Sequence, residues 1–387
     1  MRKILAGLVI LNLLFLGTFL YPSLVERSSG DSVESSTSST DTLAQELDAT
    51  NEQQIDPKVD LVSERLASMT LEEKIGQMIF VGYDGADSRV QLQSLVKNSK
   101  IGGVMLMGNN FDANNADLVE SLQQSTEIEL FIGIDQEGGI VNRISDPGYE
   151  LRSQTKVDSL QLADEISLKR AEELSELGIN TNFSPVLENI TNPDSFLYQR
   201  VFRGSDQQIS QYGSAYVANY QQNKVHATVK HFPGHTNSSV DSHLNLPVAN
   251  LNEAEFLEHI SIFDEVISNS NPSFVMIGHI SFPNQDSVYP SSLSKTIIQD
   301  YLRDRLGFTG LVITDDLSMQ AVTNNYGKTQ AAITAVNAGN DILLYVENET
   351  SIIEIKAALL DAVQSGQIKE DRIDDAVFRI LDKKLNP

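Results

Sequence analysis

The sequence predicts an α/β protein built as a closed (β/α)8 barrel of the TIM type, and three observations carry that expectation. Eight short apolar runs, each of strand length, follow one another between residues 77 and 346. Most of them end in polar or glycine-rich loops and lead into stretches of helical periodicity, the alternation expected of successive βα units. The unusual polar residues gather just after the runs, where a parallel barrel assembles its active site. The same alternation would suit an open doubly wound sheet, so periodicity alone leaves both architectures open.

Met1-Arg2-Lys3 is a positively charged start, and Ile4 to Tyr21 is an almost uninterrupted apolar run of the length a helix needs to cross a bilayer. No small-x-small cleavage site follows cleanly, and the chain has no cysteine to carry a lipid. An uncleaved anchor is therefore favoured over a cleaved signal for residues 1–25, with the charged end in the cytoplasm and the remainder outside. Residues 26–57 are rich in Ser, Thr, Asp, Glu and Gln and too poor in apolar side chains to bury a core, which predicts a disordered tether. Residues 58–387 read as globular. Thr70-Leu71-Glu72-Glu73 is a capping-box pattern that opens a helix. The predicted strands are Gln77–Gly82, Gly103–Met107, Leu130–Ile134, Thr181–Val186, Ala227–His231, Phe274–His279, Leu311–Thr314 and Asp341–Val346. Ala163–Leu177 and Glu253–Ile267 carry the clearest helical periodicity.

Composition narrows the chemistry. Without cysteine there is no disulfide framework, thiolate metal site or cysteine nucleophile. A formal charge of −25 argues against nucleic acid, whose phosphates need clustered Lys and Arg. A neutral or cationic substrate fits better.

Residues 230–243 read Lys-His-Phe-Pro-Gly-His-Thr-Asn-Ser-Ser-Val-Asp-Ser-His and hold three of the six histidines. Pro233-Gly234 forbids a regular helix, so these groups belong on a loop at a strand end. Asp241-Ser242-His243 places a carboxylate where it can accept a hydrogen bond from the imidazole, fixing its tautomer for proton transfer. Asp315 ends the seventh run and faces the barrel mouth, a suitable place for a nucleophile, while Asp316 should point elsewhere because side chains alternate along a strand. His231, His235 and His243 with an aspartate would also allow a metal site. Gly138-Gly139, with no further glycine pattern, reads as a tight turn.

Taken in order, these segments resemble glycoside hydrolase family 3, in its single-barrel β-N-acetylglucosaminidase branch. The resemblance rests on Met69–Met78, on Ile134-Asp135-Gln136-Glu137-Gly138-Gly139 with Val141 and Arg143, on Asn182–Leu187, on Lys230–His243, and on Gly307–Gly310 through Leu317-Ser318-Met319. It implies the closed barrel, Asp315 as nucleophile, and His243 paired with Asp241 as general acid/base. Asp135, Arg143, Arg200, Lys230 and His231 are implied to hold the sugar, with Arg203 the alternative to Arg200. The chain departs from the branch at Thr236-Asn237, where Gly-Asp is usual, at Glu188, where Asp is usual, and at Phe196–Gln199. It ends soon after the eighth βα unit, so the second domain of larger members is expected to be missing, which favours the His–Asp pair as acid/base.

The expectation is a retaining exo-β-N-acetylglucosaminidase acting on cell-wall fragments or other amino-sugar glycosides. It should work as a monomer on the outer face of a bacterial cell, anchored or secreted, without cofactor or metal. The alternatives are a β-glucosidase, β-xylosidase or glycoside phosphorylase on the same barrel, a catalytically weak glycan-binding protein, and a metal-dependent hydrolase.

Overall fold

The computed structural model describes residues 57–85, 89–108 and 116–386. The apolar segment 1–25 and the tether up to residue 56 lie outside the described residues. Among the described residues no helix is long and apolar enough to cross a membrane.

The eight expected strands form one parallel sheet: β1 (Ile79–Tyr83), β2 (Gly103–Leu106), β3 (Phe131–Ile134), β4 (Thr181–Asn182), β5 (His226–Phe232), β6 (Phe274–Ile277), β7 (Leu311–Thr314) and β8 (Leu343–Tyr345). Neighbours in sequence are neighbours in the sheet, and β1 also pairs with β8. A bridge from Ile313 to Ile342, with Asp341 and Ile342 N–H donating to the Val312 carbonyl at 2.8 and 3.0 Å, joins β7 to β8. The ring is thereby closed, and the open-sheet alternative falls.

Burial explains why these runs read as continuously apolar: β2, β3, β6, β7 and β8 are buried at every position, as strands covered on both faces must be. Where the strands begin, Phe80, Phe131 and Phe274 pack ring on ring, with centroids 5.1 to 6.4 Å apart. His226, the first residue of β5, lies edge-on to Phe131 at 5.3 Å, and burial drives its pKa down to about 4. It is a neutral packing group.

Two expected elements differ. The fourth strand stops at Asn182 instead of Val186, because Pro185 has no N–H to give the ladder. Pairing resumes past it through a Val186–Lys230 bridge and a 2.9 Å bond from Leu187 N–H to the Lys230 carbonyl. The helix expected over Glu253–Ile267 is two, Glu253–His259 and Ser261–Ser270, separated at Ile260. The capping box is present at Leu71–Gln77: Thr70 Oγ1 accepts from Glu73 N–H, and Glu73 answers the Thr70 N–H.

Candidate active site

The loop after β3 is held from three sides. Asn182, at the end of β4, accepts from the Gln136 N–H and donates to its carbonyl, both at 3.1 Å. The Gln136 side chain accepts from the N–H groups of Arg143 and Ile144. Arg170, on helix Leu160–Glu176, is fully buried and donates to the carbonyls of Glu137 and Arg152 at 3.0 and 2.8 Å. Gly138 and Gly139 have φ of 90° and 67°, and a Cβ on Gly138 would lie 2.0 Å from the Arg152 carbonyl oxygen, so the tight turn over Arg170 demands glycine.

A charge network spreads from this loop. Lys230 Nζ donates to Asp135 Oδ1 and lies equally close to Glu137 Oε1, 2.6 Å in each case. Arg200 forks onto Glu137 through Nε at 2.9 Å and its terminal nitrogen at 2.7 Å. Arg143 reaches Asp135 Oδ2 at 3.4 Å. Burial opposes charge on Glu137, but the Arg200 and Lys230 cations beside it prevail and hold its pKa down at about 2. Burial likewise opposes charge on Lys230, and Asp135 and Glu137 keep its pKa above the usual lysine value. Glu137, Lys230 and Arg200 thus hold their charges by facing one another, the condition under which buried charges are tolerated.

In a regular strand Lys230 and His231 would face opposite sides. The β5–β6 register slips between Val229 and Phe232, and both residues line the same cavity. Behind them lies Glu188, with a side chain closed to solvent. Its Oε1 accepts from the His231 N–H at 3.0 Å and sits 2.8 Å from His231 Nδ1 and 3.2 Å from His235 Nδ1. Burial would raise the Glu188 pKa, but the two imidazoles hold it well below the ordinary carboxylate range. Among the described residues this is the histidine–carboxylate group compact enough to hold a metal. The aspartate and His243 envisaged for such a site are not in it.

His243 lies instead at the rim, with 59% of its side chain exposed, and its Nδ1 is 2.7 Å from Asp241 Oδ1. The same oxygen accepts the His243 N–H at 2.9 Å, so two bonds set the ring against the carboxylate. The Phe196 ring stands edge-on to both His243 and His235, at 6.0 and 5.3 Å. Across the mouth, Asp315 Oδ1 accepts the Asp316 N–H at 2.8 Å. Burial works to raise the Asp315 pKa, yet His279, His231 and that amide bring it down to about 2. Asp316, expected from strand alternation to point elsewhere, also lines the cavity, but its carboxylate is tied off by Ser318 Oγ, Ser318 N–H and Val346 N–H. The fully buried His279 lies 2.9 Å from the Asp316 carbonyl through Nε2 and 2.8 Å from Ser292 Oγ through Nδ1. A carbonyl only accepts, so Nε2 carries a proton.

Seven of the eight expected site residues, Asp135, Arg143, Arg200, Lys230, His231, His243 and Asp315, line one cavity of about 250 Å³ at the carboxyl ends of the strands. Asp241 is the eighth and stands behind His243. Arg200 takes the inward place. Arg203 stacks on Tyr198, 3.8 Å from the ring centroid, and bonds the Ile190 and Tyr198 carbonyls. Glu137, Glu188 and Phe196 were given no role from sequence. The departure at Asn237 has a local use: its side-chain oxygen accepts the Thr191 and Asn192 N–H groups at 2.7 and 2.9 Å, tying the β5 loop to the β4 loop.

Residues 70–382 match the model of the glycosyl hydrolase family 3 N-terminal domain. The chain is 29% identical over 336 residues to a β-hexosaminidase A of Pseudoalteromonas piscicida, covering 76% of this chain and 55% of that protein. It is 28% identical to the β-hexosaminidase LpqI of Mycobacterium tuberculosis, over 82% of this chain and 84% of that one. It superposes on a family 3 β-N-acetylglucosaminidase from Paenibacillus with a TM-score of 0.78 at 33% identity, covering 83% of this chain and 64% of the other. The chain therefore spans little more than half of the first relative and under two thirds of the Paenibacillus enzyme. With the closed barrel, the ordered motifs and the family match over most of its length, the chain belongs to glycosyl hydrolase family 3.

Proposed function

We propose that this protein is a retaining exo-β-N-acetylglucosaminidase acting on terminal amino sugars of cell-wall fragments or similar glycans. The observation that carries the reading is the contrast among the three cavity carboxylates. Asp135 is bound to Lys230 and Arg143, and Asp316 to Ser318 and Val346, whereas Asp315 takes one backbone N–H and faces the same cavity as His243. Its depressed pKa keeps it ionised at neutral pH, as a nucleophile must be. The β-hexosaminidase names of two relatives and the N-acetylglucosaminidase activity in the third's support the amino sugar.

In the first step a carboxylate oxygen of Asp315 bonds to the anomeric carbon as the glycosidic bond breaks, and protonated His243 gives its Nε2 proton to the leaving oxygen. Asp241, on Nδ1, offsets the imidazolium charge. In the second step neutral His243 takes a proton from water, the water oxygen bonds to the anomeric carbon, and Asp315 leaves. Asp135, Arg143, Arg200, Lys230 and His231 hold the ring hydroxyls, while Glu137 keeps Lys230 and Arg200 in place. The apolar run Ile4 to Tyr21 anchors or exports the chain, leaving a monomeric barrel outside the membrane.

The test is nitrophenol release from an aryl β-N-acetylglucosaminide beside the aryl β-glucoside, with phosphate in one arm and Asp315→Ala as control. Turnover of the amino sugar that phosphate does not accelerate and that Asp315→Ala abolishes is expected. Preference for the glucoside, or dependence on phosphate, would favour a glucosidase or phosphorylase. No turnover of either would favour a glycan binder.

A further inference from the structure

We propose that Phe196 and Asn237 are positioning residues for the acid/base pair: they latch the loop after β5 to the loop after β4 and so hold His243 and Asp241 over the sugar cavity. The proposal rests on His243 being the acid/base. The two bonds from His243 to Asp241 are internal to one loop. They orient the ring against the carboxylate but do not set where the pair stands relative to Asp315. Proton transfer needs that placement, because a misplacement of about 1 Å can cost roughly 100-fold in rate.

Asn237 supplies one hold, on the backbone. Its Oδ1 accepts from Thr191 Oγ1 at 3.3 Å as well as from the Thr191 and Asn192 N–H groups, and Asn192 Nδ2 donates back to the Asn237 carbonyl at 3.0 Å. The chain is thereby fixed just before the segment that carries Asp241. On the far side of the pair, Gln320 N–H donates to the His243 carbonyl at 3.3 Å. Further along, Ala249 N–H donates to the Ser281 carbonyl and Ser281 N–H to the Pro247 carbonyl, both at 2.9 Å. The loop is pinned at both ends, and Asn237 is the pin on the β4 side.

Phe196 supplies the other hold, on the side chain itself. Its half-buried ring packs on the apolar cluster Val186, Ile190, Leu197 and Val201 and lines the sugar cavity. Its plane lies at 87° to that of buried His235 and at 83° to that of His243, with centroids 5.3 and 6.0 Å away. Both are edge-to-face geometries that favour aromatic pairs. His235 is anchored on Glu188, so Phe196 is a fixed wall on which the exposed His243 ring rests. Removing the ring leaves the Asp241 bond intact but takes away what holds the imidazole toward the cavity. Phe196 and Asn237 both stand where the sequence departs from the family's usual residues.

The test compares kcat on a plain phenyl and an activated nitrophenyl β-N-acetylglucosaminide in the full chain, Phe196→Ala and Asn237→Ala. Each variant should lose about 10- to 100-fold on the plain phenol and much less on the activated one, the pattern of a displaced acid. Phe196→Tyr, which keeps the ring, and Asn237→Asp, which keeps the acceptor oxygen, should retain most of the rate. Hydrogen exchange without substrate should rise about tenfold across residues 236–246 in both alanine variants, the scale of one or two lost hydrogen bonds, and stay unchanged in β7. Equal losses on both substrates, or unchanged exchange in either variant, would overturn the proposal. Exchange needs no turnover, so it tests the latch even if the protein is no glycosidase. Equal losses in His243→Ala would overturn the acid reading and the proposal with it, whereas leaving-group dependence in His243→Ala alone would overturn the latch and spare that reading.

Discussion

On the proposed route Asp315 and His243 share the chemistry unequally: one is a carboxylate deep in the mouth, the other an imidazole at the rim oriented by Asp241. His243→Ala should therefore depend on the leaving group. The loss in kcat should be large for a sugar or plain phenol, which needs a proton, and much smaller for an activated nitrophenol. Equal losses on both would exclude an acid role. Glu137 makes a different prediction. Its folded pKa of about 2 lies below the ordinary 4.5, so the stability it supplies is complete above pH 4.5 and is lost as pH falls toward 2. Glu137→Gln should cost roughly 3 to 5 kcal/mol at neutral pH, because Arg200 is left buried without its counter-charge and Lys230 keeps only Asp135. It should also flatten the acid limb in urea unfolding across that range, whereas an unchanged limb would show that Glu137 does not govern it. Asp315, His243 and Asp241 were legible in sequence because they lie inside short motifs. Glu137 and Glu188 were not, because a counter-ion is defined by what folds across from it, here 63 and 43 residues away.

Strands were legible as apolar runs because both of their faces are buried, and their limits shifted where a local rule intervened, as Pro185 does in the fourth. The last helix, Glu370–Leu385, shows what periodicity could not reveal. Its Lys384 turns inward beneath the barrel, where Nζ donates to Gln77 Oε1 and the Gly102 carbonyl at 2.8 Å and lies 4.9 Å from the Phe131 ring centroid. Burial without a carboxylate partner in contact lowers its pKa to about 7, from an ordinary 10.5. Between those values the unfolded chain binds a proton that the folded chain does not, so this group makes stability rise with pH from about 7 to 10.5. Lys384→Met should remove that rise in denaturant midpoints while preserving the packing. A rise of equal size in the variant would place the alkaline dependence elsewhere.

At the scale of the molecule, closure of the ring is what makes the site. Residues 135, 200, 230, 243 and 315 belong to the ends or following loops of four strands, β3, β4, β5 and β7, and the barrel brings them to one mouth. That convergence was expected from where the polar residues fell, but the choice of barrel over open sheet came from the ordered motifs, because alternation is common to both. The central claim, a covalent route through Asp315, is tested most directly by intact-protein mass spectrometry with an activated fluorosugar that slows the second step. One glycosyl unit on the chain, mapped to Asp315 and missing in Asp315→Ala, is the predicted result. A protein that turns over substrate yet carries no adduct, or carries it on another residue, would contradict the account.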